Sequence, residues 1–164
     1  MEILIRKANV EDAEEISSIW RIICSERIFS AVNKPFTTEQ EREYISSLSK
    51  REGIFMADVN NQIIGFQSLD KWAKYSDSFD HVGIIGTFVL PKWRKKRVGS
   101  QLTQYVFKFA LNHNYEKIVI YVRASNSGAI TFYKNLGFVQ KGILTHQVKI
   151  DDQYDDEIFM EFFL

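Results

Sequence analysis

Residues Thr87 to Leu102, TFVLPKWRKKRVGSQL, constrain the fold more than any other stretch, because they run from an apolar strand through Pro91 and a basic turn into a helix. Val98, Leu102, Val106, Phe109 and Ala110 recur on one stripe of that helix. A helix N-terminus presents unpaired backbone N–H groups and the positive end of its dipole. A turn holding Arg94, Lys95, Lys96, Arg97, Val98, Gly99 and Ser100 at that point suits a phosphate or pyrophosphate, so the expected ligand is a nucleotide-like cofactor.

The rest of the chain alternates strand and helix signals. Glu2 to Lys7 alternates as a half-buried strand, and Asn9 can cap a helix carrying Ala13, Ile16, Ile19, Trp20 and Ile23 on one face. Ser25 to Phe36 contains Pro35 and little periodicity, which makes it a candidate substrate wall. Thr37 with Gln40, or Thr38 with Glu41, gives a capping box for a second helix reaching about Ser49. Ile54 to Val59 and Gln62 to Leu69 flank Asn60 and Asn61, the spacing of a tight hairpin. A polar loop, Lys71 to Asp80, leads into the strand His81 to Leu90.

Beyond the basic turn and its helix, KIVIYV, Lys117 to Val122, reads as a fully buried strand. Asn126 or Ser127 can cap a short helix that Gly137 ends, and Val139 to Ile150 with Asp156 to Phe163 predict a closing hairpin. The central strand–turn–helix–strand order predicts a parallel crossover, and the flanking hairpins predict antiparallel pairs. The fold class expected is α/β (α+β mixed): a central mixed sheet of about seven strands with helices on both faces, in a single domain over residues 1–164.

Lys plus Arg and Asp plus Glu number 21 each, so nothing at whole-chain level favours nucleic acid or an anionic membrane. The single Cys24 excludes an intramolecular disulfide and a four-thiolate zinc site, which fits a reducing cytoplasm. No apolar run of about 18 residues occurs, so a soluble protein is expected. His81, His113 and His146 lack metal-ligand spacing, and no metal site is expected.

Two segments together carry a resemblance. In the first, Val89, Pro91, Arg94, Val98 and Gly99 fit a Val-x-Pro run followed by the basic turn, with Arg97 where a glycine is usual. In the second, YVRASNSGAITFYKNLGF, the matching residues are Asn126, Ala129, Phe132, Tyr133, Gly137 and Phe138. Both resemble the GNAT superfamily of acetyl-CoA-dependent N-acetyltransferases, and the element order matches along nearly the whole chain.

The resemblance implies that Phe88, Val89, Leu90, Arg94, Lys95, Lys96, Arg97, Val98, Gly99, Ser100, Asn126 and Tyr133 bind acetyl-CoA. Asn126 would bond the pantetheine arm, and backbone N–H groups near Val89 and Leu90 would polarise the thioester carbonyl. Tyr133 would protonate the leaving thiolate, its ordinary pKa of about 10 being close to that of a thiol. Arg97 must take an ordinary φ, or bear on the order of 1 to 2 kcal/mol for a left-handed one.

The base that deprotonates the amine is unassigned. Many relatives place a Glu in the strand before the turn, whereas this chain has Ile84, Ile85, Gly86 and Thr87; a relayed water or His81 could serve instead. The acceptor is a primary amine of a small molecule, amino acid or peptide, and Trp20, Phe29, Phe36 and Trp72 could line its pocket. The carboxylates of DDQYDDE, Asp151 to Glu157, could draw a cationic amine, or the terminal strands could border a homodimer contact. Two rival classes are a non-catalytic CoA-binding sensor of the same fold and a nucleic-acid-binding domain using KWRKKR.

Overall fold

The computed structural model describes residues 2–164. Among these, the elements run β1 (Leu4–Lys7), α1 (Ala13–Ser25), α2 (Thr38–Ser47), β2 (Gly53–Val59), β3 (Gln62–Lys71), β4 (Val82–Val89), α3 (Val98–Asn112), β5 (Lys117–Arg123), α4 (Ser127–Asn135), β6 (Val139–Ile150) and β7 (Gln153–Phe163). The strands form one mixed seven-stranded sheet, as the sequence reading expects, and their order is β1-β2-β3-β4-β5-β7-β6. Only β4 and β5 pair in parallel, joined by the α3 crossover.

Apolar stripes attach the helices to opposite faces. Val98, Leu102, Val106 and Ala110 of α3 pack with Phe55, Leu69, Ile85, Ile118 and Ile120. Ile16, Ile19, Trp20 and Ile23 of α1 pack with Ile54, Met56 and Phe66. The strand period of two sorts these residues: Phe66 and Phe88 face α1 and α2, whereas Leu69 and Ile85 face α3.

Local chemistry sets the boundaries. Arg6 pairs with both oxygens of Asp12, at 2.8 and 2.7 Å, and Asp12 accepts from the Asn9 N–H. That network holds Val10–Asp12 as a 3-10 turn, so α1 begins later than Asn9 alone suggests. The α2 capping box uses Thr37 and Gln40. Asn60 and Asn61 take φ of 51° and 62°, the left-handed pair a two-residue hairpin needs, and Asp151 and Asp152 repeat this at 51° and 60°. Strand β7 therefore starts at Gln153, ahead of the expected Asp156, and takes in Tyr154 and Asp155 as well.

One feature of the sheet creates the site. The β4–β5 pairing stops at Ile84 opposite Val119, so the later halves of the two strands splay apart. Leu90 N–H donates to Ile64 O at 3.0 Å, which fixes even-numbered β4 residues as bonded to β3. By antiparallel alternation the N–H groups of Thr87 and Val89 point the other way, into the gap left by β5.

Candidate active site

The N-terminus of α3 faces that gap uncapped. Its N-cap is Arg97, with φ 64° and ψ 10°, and no side chain bonds the first turn. The first helical bond runs from Gln101 N–H to Arg97 O, leaving the N–H groups of Val98, Gly99 and Ser100 without an intrahelical partner. Arg97 thus adopts the left-handed alternative, and Lys95 beside it has φ 60°. Two non-glycine residues in this region mark a loop held under strain at the site.

A cavity of about 650 Å³ opens onto these groups. Of the residues the sequence singles out, Phe88, Val89, Arg94, Lys95, Arg97, Val98, Gly99, Ser100, Asn126 and Tyr133 line it. Leu90 and Lys96 do not. Leu90 packs on the α1 side with its N–H spent on Ile64, so of the two backbone donors expected at the carbonyl only that of Val89 faces the gap. Lys96 turns its ammonium over the Trp93 ring, 5.0 Å from the centroid.

Arg94 reaches the cavity wall already engaged. Its Nη1 and Nη2 donate to the two Glu26 oxygens at 2.7 and 2.6 Å, its Nε donates to Val89 O at 3.0 Å, and it stacks on Phe29. It ties the loop after α1 to the end of β4. Asn126 is similarly committed: its Oδ1 caps α4 at Ala129 N–H, and its Nδ2 donates to Phe29 O at 3.2 Å. Arg123 adds bonds to Arg27 O and Ser30 O. The segment after α1 is therefore a pinned wall of the cavity.

Tyr133, 6% exposed, donates to Thr87 Oγ1 at 2.8 Å. Gln67 Nε2 donates to the same oxygen at 2.6 Å and to Thr103 Oγ1 at 2.9 Å, and Thr103 donates to Gly99 O. This chain links the splayed strand to the first turn of α3. Burial pushes the Tyr133 phenol up to about 12, against a smaller lowering by Thr87.

A second cavity, of about 500 Å³, lies on the α1–α2 face, and Phe88 borders both. Glu41 and Asp70 line it together with Trp20, Phe36, Tyr44 and Phe66. Burial raises Glu41 to about 7, with Trp20 pulling it back slightly. Burial also raises Asp70, which accepts from Tyr44 Oη. Of the aromatics expected around an acceptor, Trp20 and Phe36 sit here, Phe29 lines the first cavity, and Trp72 lies against Phe79.

Two sequence expectations are redirected. His81 is exposed just before β4, where its carbonyl accepts from Glu116 and Lys117 N–H. Six residues of extended chain separate it from Thr87, roughly 20 Å, too far for a base at the gap. In the acidic segment, Asp151 pairs with Arg27, Asp152 with Lys149 and Asp155 with Arg123, while Asp156 accepts from His146 N–H. These carboxylates secure the hairpin and the wall segment.

Sequence reading missed Gln67, Glu41, Tyr44 and Asp70. Glu41 had a detectable signal: with Tyr44, Ile45 and Leu48 it completes an i, i+3, i+4, i+7 stripe, placing a carboxylate where an apolar residue belongs. Gln67 sits within the otherwise apolar run of β3 and is 0% exposed. Asp70 ends that run and carries no comparable mark.

Residues 16–138 match the acetyltransferase (GNAT) family. The chain belongs to that family. It is accordingly an acyltransferase of the N-acetyltransferase type. An N-alpha-acetyltransferase of Sulfurisphaera tokodaii is 29% identical over 154 residues, covering 88% of this chain and 85% of that protein. An uncharacterized N-acetyltransferase of Methanocaldococcus jannaschii is 31% identical over 106 residues, which are 63% of this chain and 47% of that relative; the matched region spans about half its length. A GNAT superfamily phosphinothricin acetyltransferase of Sinorhizobium meliloti, solved in complex with AcCoA, superposes with a TM-score of 0.90 at 16% identity, covering 100% of this chain and 89% of that one. Among the described residues, no helix is long and apolar enough to cross a membrane.

Proposed function

We propose that this chain moves an acetyl group from acetyl-CoA to a primary amine by direct attack within a ternary complex. The observation that carries the reading is the first cavity, where an uncapped helix N-terminus, an inward Val89 N–H and the Tyr133–Thr87 pair converge. Acetyl-CoA is the donor substrate. Its pyrophosphate takes the free N–H groups of Val98, Gly99 and Ser100, with Lys95 and Arg97 supplying charge. Arg94 shapes the loop through Glu26 and serves the phosphates indirectly.

The neutral amine attacks the thioester carbonyl carbon, and the carbonyl oxygen takes up the displaced electron pair. Val89 N–H stabilises that oxyanion. The oxyanion then re-forms the carbonyl as the C–S bond breaks and the thiolate departs, and the proton released by nitrogen passes to water. Burial holds the Tyr133 proton more firmly than an ordinary phenol does, which disfavours its full transfer to sulfur. Tyr133 therefore acts chiefly as a hydrogen-bond donor to the developing thiolate. Thr87 makes this feasible, because its own hydroxyl hydrogen can rotate to donate back to Tyr133 Oη and release the phenolic hydrogen toward sulfur.

The acceptor is an amine of a small molecule, amino acid or peptide, and the N-alpha-acetyltransferase relatives support including polypeptide N-termini. Residues 1–164 act as one domain in a cytoplasmic setting, which suits the free, buried Cys24. A second reading, a CoA-binding sensor, draws on the lack of any carboxylate in the central β4 residues Ile84–Thr87. A CoA-release assay with acetyl-CoA and a panel of amines separates the two: turnover supports transfer, and binding without turnover supports the sensor.

A further inference from the structure

The second cavity has a built floor, walls and roof. Ser68 and Gly86 pair across β3 and β4 as its floor. A Cβ on Gly86 would lie 3.0 Å from the Phe88 ring and 3.3 Å from Ser68 Oγ, so the missing side chain is what keeps the floor open. Phe66 pairs with Phe88 at one end and Asp70 with Ile84 at the other, while α1 and α2 supply Trp20 and Glu41 from above.

Its charges are one-sided. Among the described residues, two carboxyl groups line the cavity and no Lys, Arg or His does. Glu41 is 3% exposed, and its Oε2 meets no hydrogen-bond donor. A buried acceptor left in that condition is satisfied at little cost by a ligand that brings an N–H group. Both Asp70 oxygens lie 2.7 Å from Tyr44 Oη, which has one hydrogen to share between them, so Asp70 also retains accepting capacity. Because Phe88 borders both cavities, a molecule seated here lies next to the transfer site.

We propose that this cavity is the acceptor site and that it selects amines carrying no carboxylate or phosphate: an apolar body among Trp20, Phe66 and Phe88, with an N–H or ammonium group at Glu41. The inference rests on the acetyltransferase reading and deepens it. An anionic substituent entering the cavity would be desolvated beside two carboxyl groups with no counter-charge in the cavity lining. An ammonium group meets aromatic faces and a carboxyl group whose ionised form its charge would favour, both attractive. A free amino acid fails this requirement, whereas a simple arylalkylamine and the N-terminus of a polypeptide both meet it.

The test compares CoA release from acetyl-CoA with phenylalanine, phenylalaninamide, phenethylamine and an amidated phenylalanyl tripeptide, each rate expressed per concentration of free base. Phenylalaninamide is expected to exceed phenylalanine in kcat/KM by about 100-fold or more, the scale of a desolvated like-charge contact. Phenethylamine and the tripeptide amide report which source of the shared chemistry fits better. Glu41→Gln should narrow the amide-to-acid ratio by about tenfold, a change in which intrinsic amine reactivity cancels. Ser68→Leu, which fills the floor, should raise acceptor KM while leaving acetyl-CoA affinity by calorimetry unchanged. Equal use of acid and amide, a ratio unmoved by Glu41→Gln, indifference to Ser68→Leu, or no turnover of any of the four with acetyl-CoA bound would each overturn the inference. Absence of acetyl-CoA binding would instead overturn the acetyltransferase reading, and the inference with it.

Discussion

Tyr133 Oη lies 2.8 Å from Thr87 Oγ1, a contact that joins α4 to β4 where that strand has parted from β5. The pair gives the first prediction. Tyr133→Phe removes only the hydroxyl and should keep acetyl-CoA affinity within a few-fold, while kcat falls by about 10²- to 10³-fold, the usual scale for losing one donor to a developing anion. Thr87→Val, which cannot return a hydrogen bond to Tyr133, should lower kcat by about tenfold. Steady-state kinetics beside equilibrium binding checks both, and an unchanged kcat in a chemistry-limited assay removes Tyr133 from the mechanism.

The Arg94–Glu26 pair gives a prediction of opposite sign for its two partners. Arg94→Ala leaves Glu26 as an unpaired, largely buried carboxylate beside the phosphate cradle, and should cost about 1 to 3 kcal/mol of stability and weaken cofactor binding. Glu26→Gln should also lower stability, yet it frees the guanidinium and should tighten acetyl-CoA several-fold at low salt. Calorimetry at two ionic strengths and thermal melts distinguish these outcomes; equal weakening by both variants would mean that the pair serves only to hold the wall.

Arg97 sits at φ 64°, where a glycine would be unstrained. Arg97→Gly should raise stability by about 1 kcal/mol through relief of the left-handed strain. The same change should weaken acetyl-CoA more than it weakens fragments lacking the phosphate that Arg97 contacts. A stabilised variant with equal loss for all fragments would assign the side chain to solvent.

Glu41 predicts a pH-dependent stability. Its value of about 7 in the fold, against an ordinary 4.5, means that the folded state holds the proton more tightly than the unfolded chain. The associated stability is fully present below pH 4.5 and is lost as pH rises through 7, up to about 3 kcal/mol in all. Glu41→Gln should therefore be more stable than wild type at pH 8.5 and nearly equal to it at pH 4.5. Denaturant melts at the two values measure the difference, and a pH-independent one would show that Glu41 is not held in the protonated form.

How far these features were legible differs by residue. The α3 stripe, the hairpin asparagines and the Asn126 cap are local signals, carried by period and turn chemistry, and the structure places them where the sequence does. The separation of β4 from β5 is non-local, set by where the parallel ladder stops, and no residue of β4 announces it. The engagement of Arg94 by Glu26 spans 68 positions, and that of Arg27 by Asp151 spans 124, so a basic turn and an acidic turn each look free until the chain is folded. Glu41 is hard to single out for a different reason, because a charged residue on a helix stripe is ordinarily solvated.

The central claim is acetyl transfer, and the most direct measurement is product analysis. Incubating the protein with acetyl-CoA and carboxylate-free primary amines should yield N-acetylated amine by mass spectrometry, with one CoA released per product formed. Acetyl-CoA bound with 1:1 stoichiometry, yet no acetylated product from any amine in a panel spanning small amines, amino acids and peptides, would contradict it.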